Sequence, residues 1–307
     1  MRPYAFALAL LLAGACSSSS SSPQRSAAAA DPARVQRFQV GGLEAFALDD
    51  GYLEVPNDGA SFGAGRPAEE TGALLAAAGL PREVLRLNIQ VLLVKSNDRV
   101  ILFDTGAGGD SMAKGGHLQA SLARAGVTPA RVTDIFISHA HFDHVGGLVS
   151  ARGALVFPSA TIHMAAPEWA AMQEKKDPKS IAPIIGPKVV PFDPGAQVLP
   201  EVKALATQGH TPGHSSYEVG SGADKLVYIG DLAHHYVVSV QRPAWSMAYD
   251  SDRSAAEVMR QQTLAKLASD HARVFAVHFP FPGIGHIEPR GETFVWQAEV
   301  IDAPVSR

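Results

Sequence analysis

The chain has 307 residues, 46% of them hydrophobic and 18% charged, with a formal net charge of −4. That is enough apolar material to bury a full core, and one large domain is the default at this length. The weakly acidic balance offers no footprint for a phosphate backbone and argues against nucleic acid as a partner, while the single cysteine excludes an internal disulfide framework and any cysteine ligand in the folded part.

Residues 1–16 have the layout of a secretory signal: Met1, Arg2, then an apolar run from Tyr4 to Ala15 that closes on small residues. The run is too short to span a bilayer comfortably. It ends in LLAGAC, with Ser17 to Ser22 directly behind, and so resembles a bacterial lipoprotein signal whose cysteine, Cys16, is acylated after cleavage. Ala13 stands where that pattern usually has leucine, with Leu12 one place further out, which leaves ordinary signal-peptidase cleavage open. The expectation is an exported protein, periplasmic or on the outer membrane through a lipid on Cys16, otherwise periplasmic or secreted. Residues 17–33, rich in Ser and Ala, read as a tether.

The folded domain is expected over 34–307. Short β-type runs at Val35 to Val40, Leu43 to Leu48, Ile89 to Lys95 and Val100 to Phe103 are separated by Gly, Asn and Asp turn signals. Between them, 57–83 is Gly/Ala-rich and long for a structured connection, a candidate lid or surface excursion. Helical patterns then alternate with strands: His117 to Ala125, a turn capped by Thr128 before Pro129, a strand from Asp134, helices at Pro167 to Glu174 and Arg253 to Ser269, and a strand from Arg273. The architecture predicted is α/β, an αββα sandwich of two mixed β-sheets flanked by helices.

The chemistry falls where strands end. After the apolar strand IFIS comes SHAHFDHVGG, which packs His139, His141, Asp143 and His144 into six positions. A strand points alternate side chains to opposite faces and cannot aim four ligands one way, but a loop after it can. His139 and His141 can then face one metal ion while Asp143 and His144 face a second, a donor set suited to zinc, iron or manganese. Four ligands do not complete two sites. His210 in GHTPGHS, Asp231 after LVYIG and His278 after VFAV each lie just beyond an apolar run.

This assembly resembles the metallo-β-lactamase superfamily, from FDTG at Phe103 to Gly106 through to His278. The resemblance implies that His139, His141 and His210 hold one divalent ion, that Asp143, His144 and His278 hold the other, and that Asp231 bridges them. It makes Asp104 a carboxylate that orients ligands. Zinc is the expected metal pair, with iron, cobalt or manganese as alternatives. The later ligand position carries Asp231 and no cysteine, which disfavours antibiotic ring opening.

HFPFPGIGHI at 278–287 and VKALATQGHTPGHSSY at 202–217 resemble methyl parathion hydrolase and its relatives, a group related to acyl-homoserine lactonases. That implies a small hydrophobic lactone, ester or phosphotriester as substrate and places Trp169 on the pocket wall. The stretch 175–187 lacks the Phe residues found in the organophosphate hydrolase, which puts phosphotriester hydrolysis as the main role in doubt. Two other readings stay open: a surface-anchored metal-binding protein with little catalysis, and a glyoxalase II-like thioesterase. A homodimer is compatible with the resemblance, although no exposed apolar stripe reads as its interface.

Among the remaining histidines, His117, His163 and His271 read as packing or surface residues, His214 as support for the His210 loop and His286 as a brace for His278. His234 or His235 reaches substrate or is structural. In the expected mechanism the metal pair lowers the pKa of a water toward about 7, and Asp231 is the best proton acceptor, with Asp143 the second carboxylate beside it.

Overall fold

The computed structural model describes residues 33–177, 179–222 and 224–301, which belong to one compact unit, Pro32–Arg307. Cys16, the signal segment and the tether up to residue 32 lie outside the described residues.

The first sheet contains β1 (Val35–Val40), β2 (Leu43–Pro56), β3 (Val84–Ser96), β4 (Arg99–Phe103), β5 (Lys114–Gly115), β6 (Asp134–Ile137), β7 (Thr161–Ala165) and β8 (Val189–Phe192). Its order is β1-β2-β3-β4-β6-β7-β8, with β5 paired to β2. The β1 to β4 neighbours are antiparallel, and β4, β6, β7 and β8 run parallel. The second sheet holds β9 (Gln197–Leu199), β10 (Val202–Ala206), β11 (Ser215–Ser221), β12 (Asp224–Tyr228), β13 (Arg273–Phe275), β14 (Ile284–Arg290) and β15 (Thr293–Ala298). It runs β15-β14-β13-β12-β11-β10-β9, antiparallel except for β12 with β13.

Period-two patterning assigns the faces. On β3, Leu92 and Val94 turn toward the second sheet and pack in a buried cluster with Val202, Ala204, Tyr217, Leu226 and Phe275. Val91 and Leu93, one position away, turn outward into a second cluster with Leu118 and Leu122 of α2 (Leu118–Arg124). The outer face of the second sheet, at Val274 and Ile287, is covered by Leu264 and Leu267 of α7 (Arg253–Ser269), whose N-cap Asp252 accepts from the Ala255 amide at 3.0 Å. The remaining helices are α1 (Ala68–Ala77), α3 (Phe142–Val145), α4 (Ala166–Glu174), α5 (Ala182–Ile185) and α6 (Val238–Gln241). The result is the predicted αββα sandwich.

Three local expectations change. The stretch 57–83 carries α1, and the Asn57 amide donates to the Ala68 and Arg82 carbonyls at 2.9 and 2.8 Å, which ties both ends of the segment down. Strand β2 runs on to Pro56 through Asp49 and Asp50, with a register shift between Asp49 and Gly51. Asp50 fits there because its carboxylate accepts the Ala107 and Leu118 amides at 2.8 and 2.7 Å. Thr128 precedes a 3-10 turn at Pro129–Arg131 but makes no side-chain cap.

Candidate metal centre and active site

Two parallel strand pairs, one in each sheet, build the site. β4 and β6 end side by side in the first sheet, and β12 and β13 do so in the second. Their C-terminal ends deliver Asp104, the 139–144 segment, Asp231 and His278 to one edge of the sandwich, while His210 comes from the loop that follows β10. Close backbone approach holds these loops together. A Cβ on Gly147 would lie 2.1 Å from the Thr105 carbonyl oxygen, and one on Gly230, at φ +51°, would lie 2.7 Å from His214 Nε2. Both positions demand glycine.

The seven residues expected as ligands gather into two clusters. His139, His141, His210 and Asp231 form one, and Asp143, His144 and His278 the other, each with its donor atoms within 4.8 Å of one another. In the first, His139 Nε2, His141 Nδ1 and His210 Nε2 stand 2.9 to 3.2 Å apart. Asp231 faces both clusters. Its Oδ2 lies 3.5 and 3.4 Å from the His139 and His210 nitrogens, and its Oδ1 lies 3.1 and 3.0 Å from those of His144 and His278.

The clusters fit divalent cations on their own chemistry. His144 Nε2 and Asp231 Oδ1 are buried and make no hydrogen bond although 3.1 Å apart; two such atoms are costly to bury unless a further group satisfies them. Burial pushes His139, His141 and His210 down, His210 to about 3, so these rings are neutral and present lone pairs. Burial opposes charge on His144 and His278 as well, but the nearby carboxylates, Asp231 foremost, override it and raise both. Burial also pushes Asp231 up, yet the imidazoles of His144, His278, His234 and His139 hold it well below the usual carboxylate range. Such an excess of negative charge, buried beside lone pairs, is what cations neutralise.

Second partners fix each ring. His144 Nδ1 donates to Asp104 Oδ2 at 2.7 Å, and the same carboxylate accepts Ser138 Oγ and the Tyr228 hydroxyl at 2.6 Å. This is the orienting role expected of Asp104. His278 Nδ1 donates to the Asn88 carbonyl at 2.6 Å. His286 does not brace it; His286 Nδ1 donates to the Ala272 carbonyl. His214 Nδ1 donates to the Thr207 carbonyl at 3.0 Å, leaving Nε2 to accept the Asp231 amide at 2.9 Å.

Glu168 and Asp250 were missed in the sequence. Glu168, 2% exposed, accepts the Ala140 amide, Thr211 Oγ1 and the Gly213 amide at 2.7 to 2.9 Å, clamping the loop of His139 and His141 to the loop of His210. Asp250 Oδ1 accepts His210 Nδ1 at 2.9 Å. No periodicity or spacing flags either residue.

A cavity of about 570 Å³ opens on His141, Asp143, Asp231 and His278, with walls from Leu53, Val55, Pro56, Leu87, Met112, Phe142 and Tyr249. Trp169 is not on that wall. It lines a separate surface depression with Lys175, Lys176 and Pro183. The reason is helical phase: α4 turns Glu168 into the ligand loops, and the next residue points about 100° away. His234 does line the cavity, 2% exposed, with Nε2 3.1 Å from Asp231 Oδ2 and neither ring nitrogen hydrogen-bonded. His235 turns inward, and its Nδ1 accepts the Val237 and Val238 amides at 3.2 and 3.3 Å. His163 is a packing residue, stacked on Phe136.

An αββα sandwich with two His/Asp clusters joined by one carboxylate at its strand ends defines a metal-dependent hydrolase. The sequence matches the metallo-beta-lactamase superfamily over residues 85–278, and the chain belongs to that superfamily. It is similar to an N-acyl homoserine lactonase of Bacillus sp, 30% identical over 199 residues that cover 59% of this chain and 77% of the relative. Among solved structures it is similar to AidC, described as a dizinc quorum-quenching lactonase in complex with a product, with TM-score 0.83, 31% identity and coverage of 89% and 100%. It is also similar to the hydrolase AbOPH, with TM-score 0.79, 26% identity and coverage of 88% and 98%.

Proposed function

We propose that the chain opens hydrophobic lactones of the N-acyl homoserine type, with two zinc ions at the paired clusters and slower hydrolysis of neutral esters. The observation that carries this reading is the cavity, whose walls are mostly apolar and whose floor is the candidate ligand cluster itself. An acyl chain fits such walls, and the scissile carbonyl then lies over Asp143 and Asp231. The similarity to AidC and to the Bacillus lactonase supports the same substrate class. The cavity lining includes no lysine or arginine, which disfavours the anionic thioester that a glyoxalase II-like role requires.

His139, His141 and His210 would hold one ion, Asp143, His144 and His278 the other, with Asp231 shared. Bound there, the ions supply an activated water and a positive charge for the developing oxyanion. Asp231 sits among imidazoles that keep it ionised, so on this reading it would hold and orient the ions and leave to Asp143 the proton-accepting role first expected of Asp231. Asp143 lines the cavity as well, and on this reading it takes the proton of the attacking water and returns it to the leaving alkoxide. His234, neither of whose ring nitrogens is hydrogen-bonded within the protein, donates a hydrogen bond to the substrate's acyl oxygen. Export belongs to the same reading, on the apolar run before Cys16 and the serine tract after it; labelling by a tagged fatty acid that is lost in Cys16→Ser tests the lipid.

The deciding experiment compares rates of the zinc-loaded full chain on a long-chain acyl-homoserine lactone, an aryl ester and methyl parathion. Lactone dominance is expected. Dominance of methyl parathion, or no metal-dependent rate on any of the three, would overturn the reading.

A further inference from the structure

Arg260 is 1% exposed and lies on the core stripe of α7 between Ala256 and Leu264. Its Nη2 donates to Asp250 Oδ2 at 2.7 Å, Nε to the Leu232 carbonyl at 3.0 Å, and Nη1 to the Pro243 and Trp245 carbonyls at 3.1 Å. Asp250 in turn accepts His210 Nδ1. Contacts therefore run from the core face of α7 to a ligand ring and to the residue after Asp231. A buried ion pair is seldom more stabilising than apolar side chains of similar volume, so stability does not account for an arginine in this stripe.

The other cluster is backed differently. The Asp104 carboxylate behind His144 takes its further hydrogen bonds from Ser138 and the Tyr228 hydroxyl, all neutral donors. Asp143 contributes another carboxylate directly. With Asp231 shared, two carboxylates, Asp250 and Glu168, and one cation stand behind the His210 side, and two carboxylates with no cation stand at the His144 side.

We propose that Arg260 is a positioning residue that makes the two metal positions unequal. By neutralising Asp250 it leaves the His139–His141–His210 position as the weaker holder, so the Asp143–His144–His278 position fills first and empties last. The inference rests on reading both clusters as metal positions. Charges act strongly along a buried path, and the partners of ligating side chains shift metal affinity by about 10- to 100-fold.

The test loads the full chain with cobalt(II) at pH 8 and titrates it with a competing chelator. Total metal and the paramagnetically shifted imidazole N–H resonances are followed together. The wild type should release one equivalent before the other, at chelator concentrations about tenfold apart, with the signals of His139, His141 and His210 disappearing first. Arg260→Gln keeps hydrogen-bond donors but drops the charge, and it should tighten the first-released ion about tenfold; Arg260→Lys should restore the wild-type order. A merely structural arginine would give loosening in both variants. Simultaneous release, the reverse order, or an Arg260→Gln protein whose first ion is not tightened would overturn the proposal. Should Arg260→Gln not fold, Asp104→Asn reads the same charge balance from the other side: the gap should narrow through a weaker last ion, and an unchanged gap overturns it. A wild type that binds no cobalt at all would instead overturn the metal reading itself.

Discussion

The backbone amide of Asp231 donates to His214 Nε2 at 2.9 Å, so the carboxylate that faces both His/Asp clusters is aimed by a histidine that belongs to neither. Burial pushes His214 down to about 4, which keeps the ring neutral and Nε2 an acceptor at every pH where the enzyme would work. His214→Ala leaves the Asp231 amide unpaired in a buried place, at a cost of about 1–3 kcal/mol. The expected result is a kcat lowered about 10- to 100-fold at saturating zinc, with a lower melting temperature. Steady-state kinetics beside a thermal melt checks it, and wild-type kcat would show that Asp231 needs no such aim.

Metal removal should be visible as lost stability as well as lost activity. Asp231, Asp143 and Asp104 crowd one buried region, and ions that bind only the folded state stabilise it by about 4 kcal/mol at a thousandfold excess over Kd. Chelation should lower the melting temperature by on the order of 10 °C for a domain of this size, and added zinc should restore it. A melting curve indifferent to chelator would mean that the clusters hold no ion in solution.

Much of this fold and site is legible in the sequence. The four candidate ligands of 139–144 were legible because they are neighbours in the chain, and the candidates His210, Asp231 and His278 because each follows an apolar strand. The order of β-type runs followed by alternating helices and strands gave the layering. What could not be read lies in partnerships across long separations. Glu168 meets partners 28 to 45 positions away, and Asp250 meets His210 at a separation of 40; in sequence both look like ordinary surface acids. Arg260 likewise reads as a solvated helix residue. Trp169 was misplaced because resemblance located its helix but not the phase of that helix, and phase decides which of two adjacent side chains faces the site.

A test remote from the metals concerns acid. Burial pushes the Asp134 carboxyl up, but hydrogen bonds from His163, Thr133 and Arg99 and the Arg99 charge override it and hold the group at about 2, against 3.8 in an unperturbed aspartate. With the folded value the lower one, the unfolded chain binds the proton first as pH falls. The stabilisation is therefore complete above about pH 4 and is lost toward pH 2. Arg99 is half exposed, so screening limits the contribution to about 1 kcal/mol. In urea titrations of metal-free protein, Asp134→Asn should lose less stability between pH 6 and pH 3 than the wild type does. Equal losses would remove Asp134 from the acid limb.

Trp169 and Tyr249 give opposite predictions although both are aromatic residues near the centre. Trp169 is half-buried against the cluster that holds Met164 and Ile185 and lines no part of the ligand-floored cavity. Trp169→Ala should cost about 2 kcal/mol of stability, less than a fully buried tryptophan would, and leave KM for a long-chain lactone unchanged. Tyr249 is 40% exposed on the cavity wall, so little packing depends on it. Tyr249→Ala should leave the melting temperature within about 2 °C, as a surface change worth no more than about 0.5 kcal/mol. It should raise KM about tenfold for the long acyl chain through lost apolar burial, and less for a short one. If the KM effect fell on Trp169 instead, the substrate would lie in the lysine-rimmed depression beside α4, and the apolar cavity would have to be given up as the binding site.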